Sequence, residues 1–211
     1  MTTVHLIDAL IAELDTGLRT LAASSHAARP SPAAQHASAT LSDTERDTAA
    51  ALMRVNHAGE VAAQALYRGQ AFTTRDAGLR DTLLKAAQDE QDHLAWCGER
   101  IQELGSHTSR LGAFWYAGSF ALGAIAGLMN SRSGLGFVME TERQVEEHLT
   151  GHLDRLPAAD VGSREIVRQM RADEVAHGAR ARDLGAADLP APVRDGMRLA
   201  ARVMTTLAHR I

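Results

Sequence analysis

The stretch LLKAAQDEQDHLAWCGERIQEL, residues 83–104, reads as one core-facing helix with an anomaly at its centre. Leu83, Ala87, Glu90, Leu94, Cys97, Ile101 and Leu104 recur at steps of three and four, the apolar stripe of a helix packed on a core. Glu90 lies inside that stripe, and His93 falls one turn further on the same side. A second Glu-x-x-His pair, Glu174 and His177, occupies the similar row Val167, Met170, Glu174, His177, Ala181, Leu184. Each pair follows a lone glutamate by about one helical hairpin: 30 residues separate Glu60 from Glu90, and 32 separate Glu142 from Glu174. Glu142 in turn interrupts the row Leu135, Val138, Val145, Leu149, Leu156.

Four carboxylates turned into a core repel one another, and each costs several kcal/mol to bury unless it is neutralised. The stripes contain no Lys or Arg, which leaves protons or metal. Two glutamates plus two Glu-x-x-His pairs are the ligand set with which a four-helix bundle holds two metal ions. In such a site Glu90 and Glu174 bridge both ions, Glu60 with His93 completes one, and Glu142 with His177 the other. Carboxylate-rich ligation with one imidazole per ion suits iron or manganese better than zinc or copper, and magnesium prefers to keep its waters. Two adjacent ferrous ions can together deliver two electrons to dioxygen, so oxygen activation is the natural task of the site.

The 211 residues suffice for one sizeable helical core. Aromatics are only 4% and alanine is abundant, which favours helix over sheet. A net charge of −4 offers no electrostatic footprint for nucleic acid. Cys97 is the only cysteine, so no internal disulfide can form, and its stripe position marks it as a small buried hydrophobe. The first 25 residues show no basic region followed by an apolar run, so no secretory signal is expected and a cytoplasmic setting is.

Along the chain, Val4, Ile7, Ile11, Leu14, Leu18 and Leu21 form the stripe of an amphipathic N-terminal helix, residues 1–22. Residues 23–41, rich in Ala, Ser and Pro, read as a flexible linker. The main domain, residues 42–211, opens on the capping-box pattern of Ser42 and Glu45. Its first helix is expected over residues 43–73, and its second runs from the turn at 76–78 to Gly105. Residues 111–131, LGAFWYAGSFALGAIAGLMNS, carry no charge and approach the length of a membrane span. Their Gly, Ala and Ser content argues instead for a bundle helix buried all round, or one touching the bilayer. Helices over 135–156 and 163–184 carry the second ligand half. A last one, over 191–210, has Val193, Met197, Ala200, Met204 and Leu207 as its stripe. The expected fold is therefore all-α: a ferritin-like four-helix bundle with the uncharged segment as its long crossover and additional N-terminal and C-terminal helices.

Four motifs carry a resemblance to a known family. RVNHAGEVAAQALYRGQA (54–71), DEQDHLAWC (89–97), FVMETERQVEEHL (137–149) and RADEVAHG (171–178) closely resemble the demethoxyubiquinone hydroxylase family, over nearly all of residues 42–211. The NHAGE sequence around Glu60 is specific to that family. The resemblance implies a di-iron monooxygenase that uses O2 to hydroxylate the ring of a polyprenyl demethoxyubiquinol late in ubiquinone biosynthesis. Its ligands map onto Glu60, Glu90, His93, Glu142, Glu174 and His177, and its cofactor is two iron ions. It further implies peripheral contact with the cytoplasmic face of the cell membrane, and protein partners from the same pathway. The apolar crossover and the N-terminal helix would then touch lipid and admit the substrate's tail. His148 resembles a histidine that the family uses near the quinone, outside the metal ligands. Where family members carry Tyr next to it, this chain has Leu149.

Beside the ligands, His57 lies one turn before Glu60 and could hydrogen-bond a ligand carboxylate or serve packing, the first being favoured. Glu146, one turn after Glu142, is the alternative register for a ligand, and the other charges of TERQVEEH read as a solvated face. No Gly-rich dinucleotide fingerprint is present, so electrons come from a separate donor or from the quinol. Alternative functions for such a bundle are iron oxidation and storage or a manganese catalase. Outside enzymes, the alternative is a metal-free, membrane-associated helical adaptor.

Overall fold

Ser42 starts the bundle as expected: its hydroxyl accepts the Glu45 N–H while the Glu45 carboxylate accepts the Ser42 N–H at 3.0 Å. The computed structural model describes residues 3–22, 26–36 and 40–211, with side chains of the first helix from Ile7 onward. Among them the elements are α1 (Thr3–Ala22), a 3₁₀ turn (Pro32–Gln35), α2 (Asp43–Thr73), α3 (Ala77–Glu103), α4 (Gly112–Ala126), α5 (Ser131–Arg155), α6 (Val161–Asp183) and α7 (Ala191–Ala208). Asp76, Asn130 and Asp160 cap α3, α5 and α6. Gly105 and Gly185, at φ 72° and 93°, follow α3 and α6 in the left-handed conformation that closes a helix C-terminus.

The α2–α3 and α5–α6 hairpins form the four-helix bundle, and α4 is the crossover between them. Two hydrophobic clusters fill its ends. Leu52, Met53, Trp96, Ile101, Leu149 and Met170 meet at one end, and Tyr67, Leu83, Val138 and Ala181 at the other. The six polar residues singled out above lie between these clusters along all four helices. Every member of the α3 stripe is buried, Cys97 included. Leu184, the last of the α6 row, is exposed.

Helix α4 lies along α2 through a seam of glycines. A Cβ on Gly123 would come within 2.0 Å of the Leu66 carbonyl oxygen, and one on Gly69 within 2.1 Å of that of Phe120. Glycine is what allows the two backbones to approach this closely.

The outer helices α1, α4 and α7 each leave apolar residues exposed. Helix α4 buries Trp115, Tyr116, Gly123 and Ala126 but leaves Phe114 and Ile125 about two-thirds exposed, so it is not buried all round. None of the described helices is long and apolar enough to cross a membrane. In α1 the apolar stripe Ile7, Ile11, Leu14, Leu18, Leu21 points away from the bundle. Val4 belongs to the same stripe, but its side chain lies outside the described residues. The opposite, polar face does the docking: Glu13 pairs with Arg68 at 2.7 Å, and Thr20 hydrogen-bonds Gln64 at 2.9 Å. Of the stripe expected in α7, Met197 and Met204 are half-buried, while Val193, Ala200 and Leu207 are exposed.

Within the expected linker, residues 26–36 pack on the bundle, while 23–25 and 37–39 fall outside the described residues. Ala28 N–H donates to Asp92 at 2.6 Å, Arg29 reaches Asp92 and Asp173, and the 3₁₀ turn packs on α6. Low sequence complexity did not prevent one arginine from anchoring the segment.

Gly123→Ala tests the seam. In an ordinary helix this change gains about 1 kcal/mol. Here overpacking against Leu66 should reverse the sign and cost about 1–3 kcal/mol, read from chemical denaturation.

Candidate metal centre

Glu60 projects from α2, Glu90 and His93 from α3, Glu142 from α5, and Glu174 and His177 from α6, where each helix crosses the bundle interior. Their donor atoms form two groups: Glu60, Glu90, His93, Glu174, and Glu90, Glu142, Glu174, His177. Within each group the atoms lie within 4.8 Å of one another. Glu90 and Glu174 belong to both. Glu90 turns one oxygen to His93 Nδ1 at 2.8 Å and the other to His177 Nδ1 at 3.4 Å. Glu174 does the same at 3.4 and 3.9 Å. Glu60 faces only His93 Nδ1, at 3.7 Å, and Glu142 only His177 Nδ1, at 3.9 Å. This is the disposition of two bridging and two terminal carboxylates with one imidazole on each side.

The buried polar atoms are the physical sign that the cluster suits a cation. Both oxygens of Glu90 and the Nδ1 atoms of His93 and His177 are buried without a hydrogen-bond partner. Such orphans are costly unless something satisfies them, and divalent ions facing oxygens and imidazole nitrogens would do so.

Without metal, protons must do the neutralising. Burial pushes the Glu60 carboxyl up to about 8 and Glu142 well above its usual range, so both favour the neutral form. Burial alone would lower His93 and His177. Asp173, Glu174, Glu60 and Glu90 outweigh it at His93 and hold it well above the usual imidazole value, while Glu174 and Glu90 raise His177 to about 10. Burial likewise opposes ionisation of Glu174, but the facing imidazoles of His177 and His93 hold it well below the usual carboxylate range.

Sequence reasoning missed three residues that touch the ligands. Asp173 Oδ2 lies 2.9 Å from His93 Nε2. Burial opposes ionisation of Asp173, but His93 and Arg29 keep it ionised. A carboxylate only accepts, so Nε2 carries the hydrogen and Nδ1 is the nitrogen free to meet an ion. Asp89 faces His177 Nε2 across 3.7 Å from the other side. Each Glu-x-x-His is directly preceded by aspartate, and each aspartate serves the histidine of the opposite helix; that repeat was the available signal. Tyr67, two turns after Glu60, is fully buried and donates its hydroxyl to Glu142 Oε1 at 2.5 Å.

Other candidates lie elsewhere. His57 packs against Gly98 and makes no hydrogen bond to a ligand carboxylate. Glu146 stands outside both groups, 3.9 Å from Arg171. Cys97 is buried against the Met170 sulfur, and burial pushes its thiol up. Leu149 is core. His148 is not in contact with the carboxylates. It lines a cavity of about 660 Å³ between α2, α4, α5 and α7, together with Val55, Ala63, Trp115, Phe137 and Met204. Glu60 and Gly59 belong to the same walls, so the cavity abuts one end of the carboxylate cluster.

Comparison with known proteins bears on this arrangement. Residues 47–208 match the family model described as ubiquinone biosynthesis protein COQ7. The chain is 54% identical to the 3-demethoxyubiquinol 3-hydroxylase of Ralstonia pickettii, over 98% of this chain and 100% of that protein. It is 56% identical to the proteins of the same name from Variovorax paradoxus (97% of this chain, 98% of the relative) and Cupriavidus necator (97% and 100%).

Metal and protons compete for the same atoms, so uptake of a divalent ion should release protons and tighten as pH rises towards 8. Calorimetry in buffers of different ionisation enthalpy measures the release. The metal-free fold should respond in the opposite direction. Folding raises Glu60 from 4.5 to about 8 and His177 from 6.5 to about 10. Their contribution is complete below the unfolded values and is lost as pH climbs through the folded ones. Thermal unfolding of the stripped protein should therefore show falling stability between about pH 5 and 10, absent once metal is bound. Elemental analysis tests the bridging geometry: Glu90→Ala should lose both ions and Glu142→Ala only one.

Proposed function

Since this chain belongs to the ubiquinone biosynthesis protein COQ7 family, we propose that it is a di-iron 3-demethoxyubiquinol 3-hydroxylase, inserting one oxygen atom of O2 into the ring of a polyprenyl quinol. The observation that carries the reading is the apolar cavity whose wall includes Glu60. Its volume lies in the range that encloses a drug-sized molecule, enough for a substituted ring and the first part of its tail. Glu60 stands in the cavity wall, so a ring seated against that wall would have its reacting carbon beside one of the candidate metal ligands.

Two ferrous ions, when bound, supply the electrons that reduce dioxygen. The rest falls to the protein. Glu60 and His93 would hold one ion, Glu142 and His177 the other, and Glu90 and Glu174 both. The bundle ends, packed with leucine, methionine and Trp96, keep bulk water from the centre. His148 has a buried Nε2 without a partner, and burial holds its pKa at about 4. It is therefore neutral at neutral pH and can hydrogen-bond a quinol hydroxyl. The storage, catalase and adaptor alternatives gain no support from relatives that all carry the hydroxylase name.

The substrate's tail suggests where the protein sits. The outward apolar residues of α1 (Ile11, Leu14, Leu18), α4 (Phe114, Ile125) and α7 (Leu199, Val203) are exposed, and α4 and α7 also wall the cavity. Arg194, Arg198 and Arg202 accompany them on α7. Apolar residues with arginines on an exposed helix suit the interfacial zone of a bilayer. The reading is of peripheral attachment at the cytoplasmic face of the cell membrane, with the tail passing from lipid into the cavity.

Gly59→Leu tests the cavity. A Cβ there meets nothing within 4 Å, so the side chain should enter open space without harm to the fold. Metal content and melting temperature should be retained, while kcat/KM for the polyprenyl quinol falls by about tenfold or more, since a blocked ring loses its positioning. A variant with unchanged kcat/KM would place the substrate elsewhere. In a strain lacking the protein, demethoxyubiquinone should accumulate and the wild-type chain should restore the quinone; a normal quinone profile would refute the assignment.

A further inference from the structure

The two halves of the carboxylate cluster are not equally supported from outside. Behind His93, Asp173 has both oxygens engaged: Oδ2 meets His93 Nε2 at 2.9 Å and Arg29 Nη1 at 2.8 Å, and Oδ1 accepts from Gln169 at 3.0 Å. Arg29 is itself fixed. Its Nε donates to Asp92 at 2.6 Å, its guanidinium lies 4.8 Å over the Trp96 ring, and its carbonyl accepts from Trp96 Nε1 at 3.2 Å. The result is a chain from residues 26–36 through Arg29, Asp173 and His93 to the donor atoms.

Behind His177 the equivalent chain is broken. Asp89 stands 3.7 Å from Nε2, beyond a hydrogen bond. Among the described residues Asp89 pairs with no Lys or Arg, and only His177 faces it. The His93 side chain is fully buried, whereas that of His177 is 13% exposed. In the same half, Glu142 already shares an oxygen with Tyr67. The sequence repeat Asp-Glu-x-x-His is symmetric, but its surroundings are not.

We propose that residues 26–36 act as an outer brace that makes the two metal positions unequal: the one formed by Glu60 and His93 fills first and holds its ion more tightly, with Arg29 as the positioning residue. The inference rests on reading the cluster as a two-metal centre. A braced imidazole loses no rotational freedom when it binds, and a carboxylate on its far nitrogen makes it the better donor. The guanidinium's own charge opposes a cation, but it acts from one carboxylate and one imidazole away. Its effect on the orientation of Asp173 is immediate.

The test uses the full-length, metal-stripped chain titrated anaerobically with cobalt(II), read by calorimetry and by the high-spin cobalt EPR signal. The wild type should bind in two steps, the first at least about tenfold tighter, with the signal of isolated ions growing through the first equivalent and diminishing as coupled pairs form in the second. Arg29→Gln should weaken the first step by about tenfold, the lower end of what losing a direct partner of a metal ligand costs because Arg29 acts through Asp173, and leave the second nearly unchanged. Arg29→Lys should restore part of the loss, since lysine can pair with Asp173 only as a point charge. Asp89→Ala should leave the first step intact. Arg29 is 43% exposed, so the metal-free variant should melt close to the wild type. Equal steps in the wild type, or an Arg29→Gln variant that weakens both steps alike or neither, would overturn the proposal. Failure of the wild type to bind cobalt at all would instead refute the two-metal centre on which it rests.

Discussion

Four carboxylates and two imidazoles share the interior of one helical bundle, and the cost of burying like charges governs the rest of the molecule. Glu60 and Glu142 favour their neutral forms, Glu174 stays ionised through His93 and His177, and several donor atoms have no partner within the protein. Such a cluster is tolerable only with protons or metal in its midst. The core is divided accordingly, with an apolar cluster above and another below the polar layer. Those clusters supply the burial that stabilises the bundle, while the centre between them consumes stability to create a binding site.

The crossover and outer helices can be understood as access to that centre. Glycines at 69 and 123 let α4 lie directly on α2, so that Trp115 on α4 and Gly59 and Glu60 on α2 wall one cavity. Helices α1, α4 and α7 leave apolar residues outside, which a water-facing surface would ordinarily avoid in such number. The proposed entry of a long apolar tail from a lipid phase would give this arrangement a purpose. On the other side of the bundle, residues 26–36 and Arg29 lie against α3 and α6. The centre therefore has an apolar approach on one side and a hydrogen-bonded brace on the other.

Much of this was legible in the chain. The stripes around Glu90, Glu142 and Glu174, with the paired spacing of the glutamates, named six donor residues that the structure brings into two groups. Ser42, Gly105 and Gly185 marked helix ends through local backbone chemistry. The less legible residues share a feature: their roles depend on an element distant in sequence. His57 and Glu146 sit one turn from ligands, yet one faces Gly98 and the other Arg171. Tyr67 lies on the ligand face of α2, but its partner Glu142 is on α5.

The sequence by itself determined the helices and the all-α class, marked six candidate donors, and carried the motifs of the family, because periodicity, caps and motifs are properties of single segments. Only the tertiary structure decided which surface of each outer helix meets the bundle. In α1 the apolar stripe faces outward because the polar face found Arg68 and Gln64. It also decided that Asp89 and Asp173 serve opposite histidines, and that Arg29 closes a circuit with α6 across 144 residues of chain. Amphipathicity fixes a direction on one helix; what lies in that direction depends on the space the other helices leave.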